Sequence, residues 1–118
     1  MARILSKDYT VYTAKNGEEG LGCTRKHDID LIVSDVMMPV MDGITFCRKI
    51  KGDFDTSHIP FLLLTAKNQE EDRVEAYESG ADAFITKPFS LTLLQARIAN
   101  LLAARERKTK TFKKQLVF

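Results

Sequence analysis

Apolar, strand-like runs alternate four times with helical segments along this chain, and this alternation limits the possible fold more than any other feature. Periodicity and turn signals predict strands over Tyr9–Ala14, Asp30–Ser34, Phe61–Leu64 and Ala83–Ile85, and helices over Gly17–Lys26, Ile44–Lys51, Glu70–Ser79 and Leu91–Ala104. Regular strand–helix alternation is typical of a parallel sheet with helices on both faces. We therefore expect an α/β fold, in which ligands bind at the carboxyl ends of the strands.

Residues at the ends of these segments support the boundaries. Asn16 and Asp42 precede helices, where their side chains can accept hydrogen bonds from unpaired backbone N–H groups. Gly80 follows the third helix, at a position where glycine commonly ends one. Within that helix, Val74 and Tyr77 are expected to face the core.

Length and composition indicate one ordinary globular domain. The chain has 118 residues, 44% of them hydrophobic and 29% charged, with a net charge of +2. The basic excess is local, because 105–114 contains six of the 18 Lys and Arg residues, so a dedicated nucleic-acid binder is not expected. Cys23 and Cys47 are expected to be free thiols in a reducing cytoplasm. No apolar run is long enough to span a membrane.

Three polar residues directly follow apolar runs and should meet at one edge of the sheet: Asp35, Thr65 and Lys87. Each alone has a structural explanation, as a cap or a solvated side chain. A carboxylate, a hydroxyl and an ammonium group together suit an anionic ligand, and an Asp carboxylate can attack phosphorus to give an acyl phosphate. Lys87 would neutralise charge on the phosphoryl oxygens. A cis bond before Pro88 would orient this lysine.

Three segments resemble the motifs of bacterial response-regulator receiver domains. Residues 34–43 (SDVMMPVMDG) are similar to the phosphoacceptor segment, 62–67 (LLLTAK) to the switch-threonine segment and 80–89 (GADAFITKPF) to the lysine–proline segment. The resemblance covers about Tyr9 to Leu102 and implies a flavodoxin-like receiver fold. The region around Ser57–Pro60 and Glu70–Arg73 is most similar to receivers of hybrid sensor kinases.

The resemblance assigns roles to single residues. Asp35 would accept a phosphoryl group from a histidine kinase, and Asp35 with the backbone carbonyl of Met37 would hold Mg²⁺. Thr65 and Lys87 would contact the phosphoryl group, and Phe84 would be the switch aromatic. Judged from the residues alone, a plain core role is favoured for Phe84.

The chain departs from the family pattern at its start. A receiver begins with a strand that ends in two acidic residues, whereas the only acid before Tyr9 is Asp8. We therefore expect about four strands and four helices, with weak or absent Mg²⁺ binding and impaired phosphorylation. The missing strand would leave a central gap between the strands at Tyr9 and Asp30. The flanking strands could pair directly, a second copy could fill the gap, or the apolar tail Gln115–Phe118 could do so.

These considerations predict a receiver domain over 1–104, followed by a basic linker or helix extension over 105–118. In the family such a segment often leads to an output domain for transcription regulation, but direct DNA contact by this chain is not expected. A homodimer could form through the exposed sheet edge or the helix after Thr65. The alternative function is a non-phosphorylatable pseudo-receiver that binds other proteins. A phosphatase-like enzyme is not expected, because Met37 stands where a second aspartate would be useful.

Overall fold

The protein forms a five-stranded parallel sheet with helices on both faces. A computed structural model describes residues 2–66, 70–105 and 115–118. Its strands, in the spatial order β1-β5-β2-β3-β4, are all parallel to their neighbours. The elements in chain order are α1 Ala2–Leu5, β1 Thr10–Tyr12, α2 Gly17–Lys26, β2 Leu31–Asp35, α3 Gly43–Gly52, β3 Phe61–Thr65, α4 Glu70–Glu78, β4 Ala83–Thr86, α5 Leu91–Arg105 and β5 Gln115–Val117.

The predicted strand–helix alternation and parallel sheet are confirmed, with boundaries that differ by a few residues. The helix caps are confirmed as well, since Asn16 Oδ1 accepts a hydrogen bond from the N–H of Glu19 at 2.9 Å and Asp42 Oδ1 accepts one from Thr45 at 2.8 Å. Gly80 has a φ of +96°, the left-handed conformation that glycine adopts readily after a helix.

The gap between β1 and β2 is filled by β5, so the expectation of about four strands is corrected to five. Val11 pairs with Leu116, and Leu116 in turn pairs with Leu31. Of the three ways to fill the gap, the structure therefore has the third, the apolar tail. The expected linker over 105–118 is corrected in part: Gln115–Val117 is a sheet strand, Arg105 ends α5, and 106–114 lie outside the described residues.

Two apolar layers lie on opposite faces of the sheet, because successive strand side chains point to opposite sides. The first packs α2, α3 and α4 against the sheet and includes Ile32, Phe46 and Val117. The second packs α1 and α5 and includes Leu5, Ile98 and Leu116. None of the helices in the described ranges is long and apolar enough to cross a membrane.

The inward face of α4 differs from the expectation. Val74 and Tyr77, predicted to face the core, are 48% and 57% exposed. Ala76, within the helix, and Ser79, directly after it, are buried in their place, at 1% and 4% exposure. Small side chains bring the helix close to the sheet, and the larger ones are left on its outer side.

Candidate functional site

Asp35 and Lys87 form an ion pair at the carboxyl edge of the sheet, between Lys87 Nζ and Asp35 Oδ1. The two side chains are 40% and 42% exposed, yet Oδ1 itself is inaccessible to solvent and accepts no hydrogen bond from the described residues. One carboxylate oxygen is therefore buried against an ammonium group, although the side chain as a whole stays partly exposed.

Backbone hydrogen bonds across neighbouring strands fix these two residues. The N–H of Val36 donates to Leu64 O at 2.9 Å, directly after Asp35 on β2. The N–H of Lys87 donates to Thr65 O at 2.6 Å, which ties the end of β4 to the end of β3. The Lys87–Pro88 bond is cis, in agreement with the cis bond considered for this position.

A pocket of about 230 Å³ lies beside Asp35, on the side of β5. Its walls come from the turn after β1, the ends of β2 and β5, and the loop after Asp35. They are Ala14, Lys15, Asn16, Val33, Ser34, Asp35, Met37, Met38, Pro39, Phe46, Val117 and Phe118. The pocket is large enough for a phosphoryl-sized anion next to the exposed side of the Asp35 carboxylate.

Sequence and structure comparisons identify the family. Residues 1–99 match the model of the response regulator receiver domain. The chain belongs to this family. It is 43% identical over 104 residues to histidine kinase P4 of Formosa agariphila, a match covering 88% of this chain and 8% of that protein. It is 44% identical over 100 residues to the response regulator PleD of Caulobacter vibrioides, covering 85% of this chain and 22% of that protein.

A solved receiver domain has the same fold. The signal receiver domain of a signal transduction histidine kinase from Syntrophus aciditrophicus superposes with a TM-score of 0.81 at 38% identity, over 92% of this chain and 85% of that one. The predicted flavodoxin-like receiver fold is thereby confirmed. The chain spans less than a quarter of the two full-length relatives named above, so it corresponds to one module of such proteins.

Receiver domains generally bind Mg²⁺ in an acidic pocket, and the residues of this receiver fit that ion poorly. Asp35 is the one carboxylate among the described residues that line the pocket, beside the exposed Met37. Across the described ranges, no group of three or more His, Cys, Asp or Glu side chains could hold a metal ion. Mg²⁺ prefers several carboxylate and water oxygens in octahedral geometry.

The remaining predicted site residues lie near Asp35 but not all in its pocket. Thr65 ends β3, is 5% exposed, and stands on the opposite side of Asp35 from the pocket. Phe84 on β4 is half-buried and packs edge-on to Tyr77, with 4.8 Å between ring centroids. Met37 is 80% exposed on the pocket rim. The structure thus brings Asp35 and Lys87 into contact, with Thr65 and Phe84 on adjacent strands.

Sequence reasoning missed the pocket walls on the far side of Asp35. Val117 and Phe118 enter the site only because β5 docks beside β2, and no local motif predicts that pairing. The sequence predicts only a helix cap for Asn16 and no role for Lys15. The signal that could have found them is topological, because they follow β1 at the same sheet edge as Asp35.

Proposed function

We propose that this receiver accepts a phosphoryl group on Asp35 from a histidine kinase. The observation that carries the proposal is the Asp35–Lys87 ion pair, in which Oδ1 is buried while the partly exposed Asp35 side chain lines a pocket. A carboxylate in this position is a nucleophile, and an adjacent ammonium group stabilises the negative charge of a transferring phosphoryl group.

The chemistry is a displacement at phosphorus. Oδ2 of Asp35 forms a bond to the phosphorus of a phosphohistidine, and the P–N bond breaks. The electron pair of that bond stays on the imidazole nitrogen, which takes a proton from solvent. Lys87 Nζ, already against the carboxylate, is placed to contact a phosphoryl oxygen of the acyl phosphate as its charge develops. Thr65 would donate to a second oxygen, and Phe84 would respond by changing its rotamer.

Phosphorylation by a small donor tests this proposal. The chain is incubated with acetyl phosphate, with and without Mg²⁺, and its intact mass is measured. We expect a gain of one phosphoryl group that hydroxylamine removes, and no gain in Asp35→Asn. Asp55→Asn, which alters an exposed loop aspartate, should be phosphorylated like the unmodified chain. A stable phosphoryl group in Asp35→Asn would contradict the assignment.

A second candidate function is favoured by the single carboxylate of the pocket. With one acid beside Met37, Mg²⁺ would bind weakly or not at all, and transfer to Asp35 would be slow. The chain would then act as a pseudo-receiver that binds other proteins without phosphorylation. Saturation of the phosphorylation rate with Mg²⁺ in the low millimolar range would exclude this alternative; a rate that is insensitive to Mg²⁺ and very low would support it.

Partner binding belongs to the same proposal. A histidine kinase would approach the carboxyl edge of the sheet, where the Asp35 side chain is 40% exposed. A homodimer through α4 is supported by the partly exposed side chains of Val74 and Tyr77. Sedimentation of the chain before and after treatment with acetyl phosphate would detect such a dimer.

A further inference from the structure

We propose that the gap between β1 and β2 is a strand-acceptor site filled by the chain's own β5, and that this docking builds two walls of the Asp35 pocket. Docking of β5 and binding of an oxoanion beside Asp35 then stabilise each other. The first part stands on the fold alone, while the coupling rests on the proposed function of Asp35.

The pairing pattern defines the acceptor site. Within the described residues, β1 pairs with β5 and not with β2, so β1 belongs to the sheet through β5. Leu116 is fully buried in the core layer of α1 and α5, and Val117, 2% exposed, is buried in the opposite layer. The site therefore accepts a short parallel strand whose successive apolar side chains enter both layers.

Hydrogen bonds hold both ends of β5. At its start, Asp30 N–H donates to Gln115 O and Gln115 N–H donates to Asp30 Oδ2, both at 2.7 Å. The hydroxyl of Tyr12 donates to Gln115 Oε1 at 3.1 Å from the opposite neighbour. At its end, Phe118 N–H donates to Tyr12 O at 2.9 Å, and Ala14 N–H donates to Phe118 O at 3.2 Å. Gln115 therefore sets the register on both sides of the gap.

The same strand supplies the pocket. Val117 and Phe118 form one wall, and the turn 14–16 forms another. That turn is tied to β5 through the Ala14–Phe118 hydrogen bond. Loss of β5 would remove the first wall and release the second, leaving Asp35 beside open solvent. Since coupling between two binding events is reciprocal, an anion that needs both walls must favour the docked strand.

Hydrogen exchange tests docking directly. The amides of Ala14 and Asp30 donate to β5, whereas those of Val36 and Lys87 donate within the β2–β3–β4 half. In Leu116→Ala we expect exchange at Ala14 and Asp30 to accelerate by at least about tenfold more than at Val36 and Lys87. Leu102→Ala, in the same core layer, is the control, and it should accelerate exchange at the two pairs of amides to the same extent. Equal acceleration of all four amides in Leu116→Ala, or none, would overturn the proposal.

Rescue in trans tests the acceptor site independently. A peptide of residues 113–118 is added to the full chain carrying Leu116→Asp. We expect exchange at Ala14 and Asp30 to slow again, and a peptide with the same Leu→Asp change to have no effect. If the intact peptide restores no protection at concentrations up to the millimolar range, the gap is not a strand-acceptor site.

The coupling is tested with beryllofluoride, a mimic of the phosphoryl group, in the presence of Mg²⁺. Bound probe should slow exchange at Ala14 and Asp30. Leu116→Ala should weaken probe binding by the same factor as that slowing, because the two effects are linked. Failure of the probe to bind even the unmodified chain would reject the proposed function and the coupling, but not the strand exchange. Tight binding unchanged by Leu116→Ala would reject the coupling alone.

Discussion

The backbone of Gly43 lies against the carbonyl oxygen of Asp35: a Cβ atom at position 43 would stand 2.1 Å from that oxygen. The N–H of Gly43 also donates to Val36 O at 2.8 Å, so the start of α3 is fastened to the end of β2. No side chain fits in this contact. Glycine at this position therefore sets how closely the loop after Asp35 returns to β2.

Gly43→Ala is expected to destabilise the protein by about 1–3 kcal/mol, because backbone atoms must move to accept the new methyl group. Urea unfolding followed by circular dichroism measures the change. Gly22→Ala is the matched control: it lies within α2 and its Cβ would meet nothing within 4 Å. Alanine there should stabilise the helix by about 0.5–1 kcal/mol. Similar effects of the two substitutions would contradict the close contact at Gly43.

Val40 is held in an unfavourable backbone conformation in the loop after Asp35. Its φ is +66°, a region that β-branched residues rarely adopt, and its side chain is 77% exposed. Val40→Asn should raise the free energy of unfolding by about 0.5–1 kcal/mol, because asparagine tolerates this region and little packing is lost. Val40→Thr keeps the β-branch and should bring no gain. Chemical denaturation of both variants, compared with the unmodified chain, checks the difference.

Lys51 connects α3 to the amino ends of β3 and β4, at the end of the sheet opposite to the candidate site. Its Nζ lies 2.8 Å from Asp82 Oδ2 and donates to Ile59 O at 2.7 Å, and its side chain is 17% exposed. Lys51→Met keeps the aliphatic part but removes the charge and these contacts. We expect a loss of about 2 kcal/mol, typical of hydrogen bonds to charged groups.

A double-mutant cycle with Asp82→Asn isolates the ion pair from the other contacts of Lys51. Asparagine can still accept the hydrogen bond that Phe61 N–H now donates to Asp82 Oδ2. The coupling should be well below the full cost of Lys51→Met, because Asp82 is 39% exposed and the attraction is screened. A coupling equal to the whole loss would show that the carbonyl contacts contribute nothing.

Local signals in the sequence predict most of the sheet and its caps. Strands β2 and β3 are continuous apolar runs buried on both faces, which periodicity detects without tertiary information. The placement of Asp35, Thr65 and Lys87 then follows, because the carboxyl ends of parallel strands share an edge. The ion pair between Asp35 and Lys87 is a consequence of that topology.

Two features depend on contacts that no local pattern contains. The strand Gln115–Val117 has three residues, too few to specify its partners, and its place is set by the gap between β1 and β2. The inward face of α4 is set by close approach to the sheet, which selects Ala76 and Ser79 over Val74 and Tyr77. Hydrophobicity alone would place Val74, and not Ser79, on the inward face.

Lys87→Gln is expected to slow phosphorylation of Asp35 by about 100-fold, the usual effect of removing one group that stabilises transition-state charge. The substitution also leaves Oδ1 of Asp35 buried without its cation. Stability should change by less than about 1 kcal/mol, because both side chains are partly exposed and the glutamine amide can still donate a hydrogen bond to Oδ1. Lys49→Gln, an exposed cation on α3, is the control and should leave the rate unchanged. Rates are measured by intact mass over time with acetyl phosphate.

Cys47 should make stability fall at alkaline pH. Burial raises the pKa of its thiol above the ordinary value of 9.0, because the charged thiolate is poorly solvated in the core. The folded state therefore keeps a proton that the unfolded state releases, so the thiol's contribution is complete below pH 9 and is lost as pH rises further. Burial also raises the pKa of Tyr9, so this side chain also lowers stability at alkaline pH. The contribution of the Cys47 thiol is therefore measured as the difference in the free energy of unfolding between the unmodified chain and Cys47→Ala. Both are unfolded in urea at pH values from 7 to 10.5. That difference should shrink above pH 9. A constant difference for Cys47→Ala would mean that its thiol ionises equally in both states.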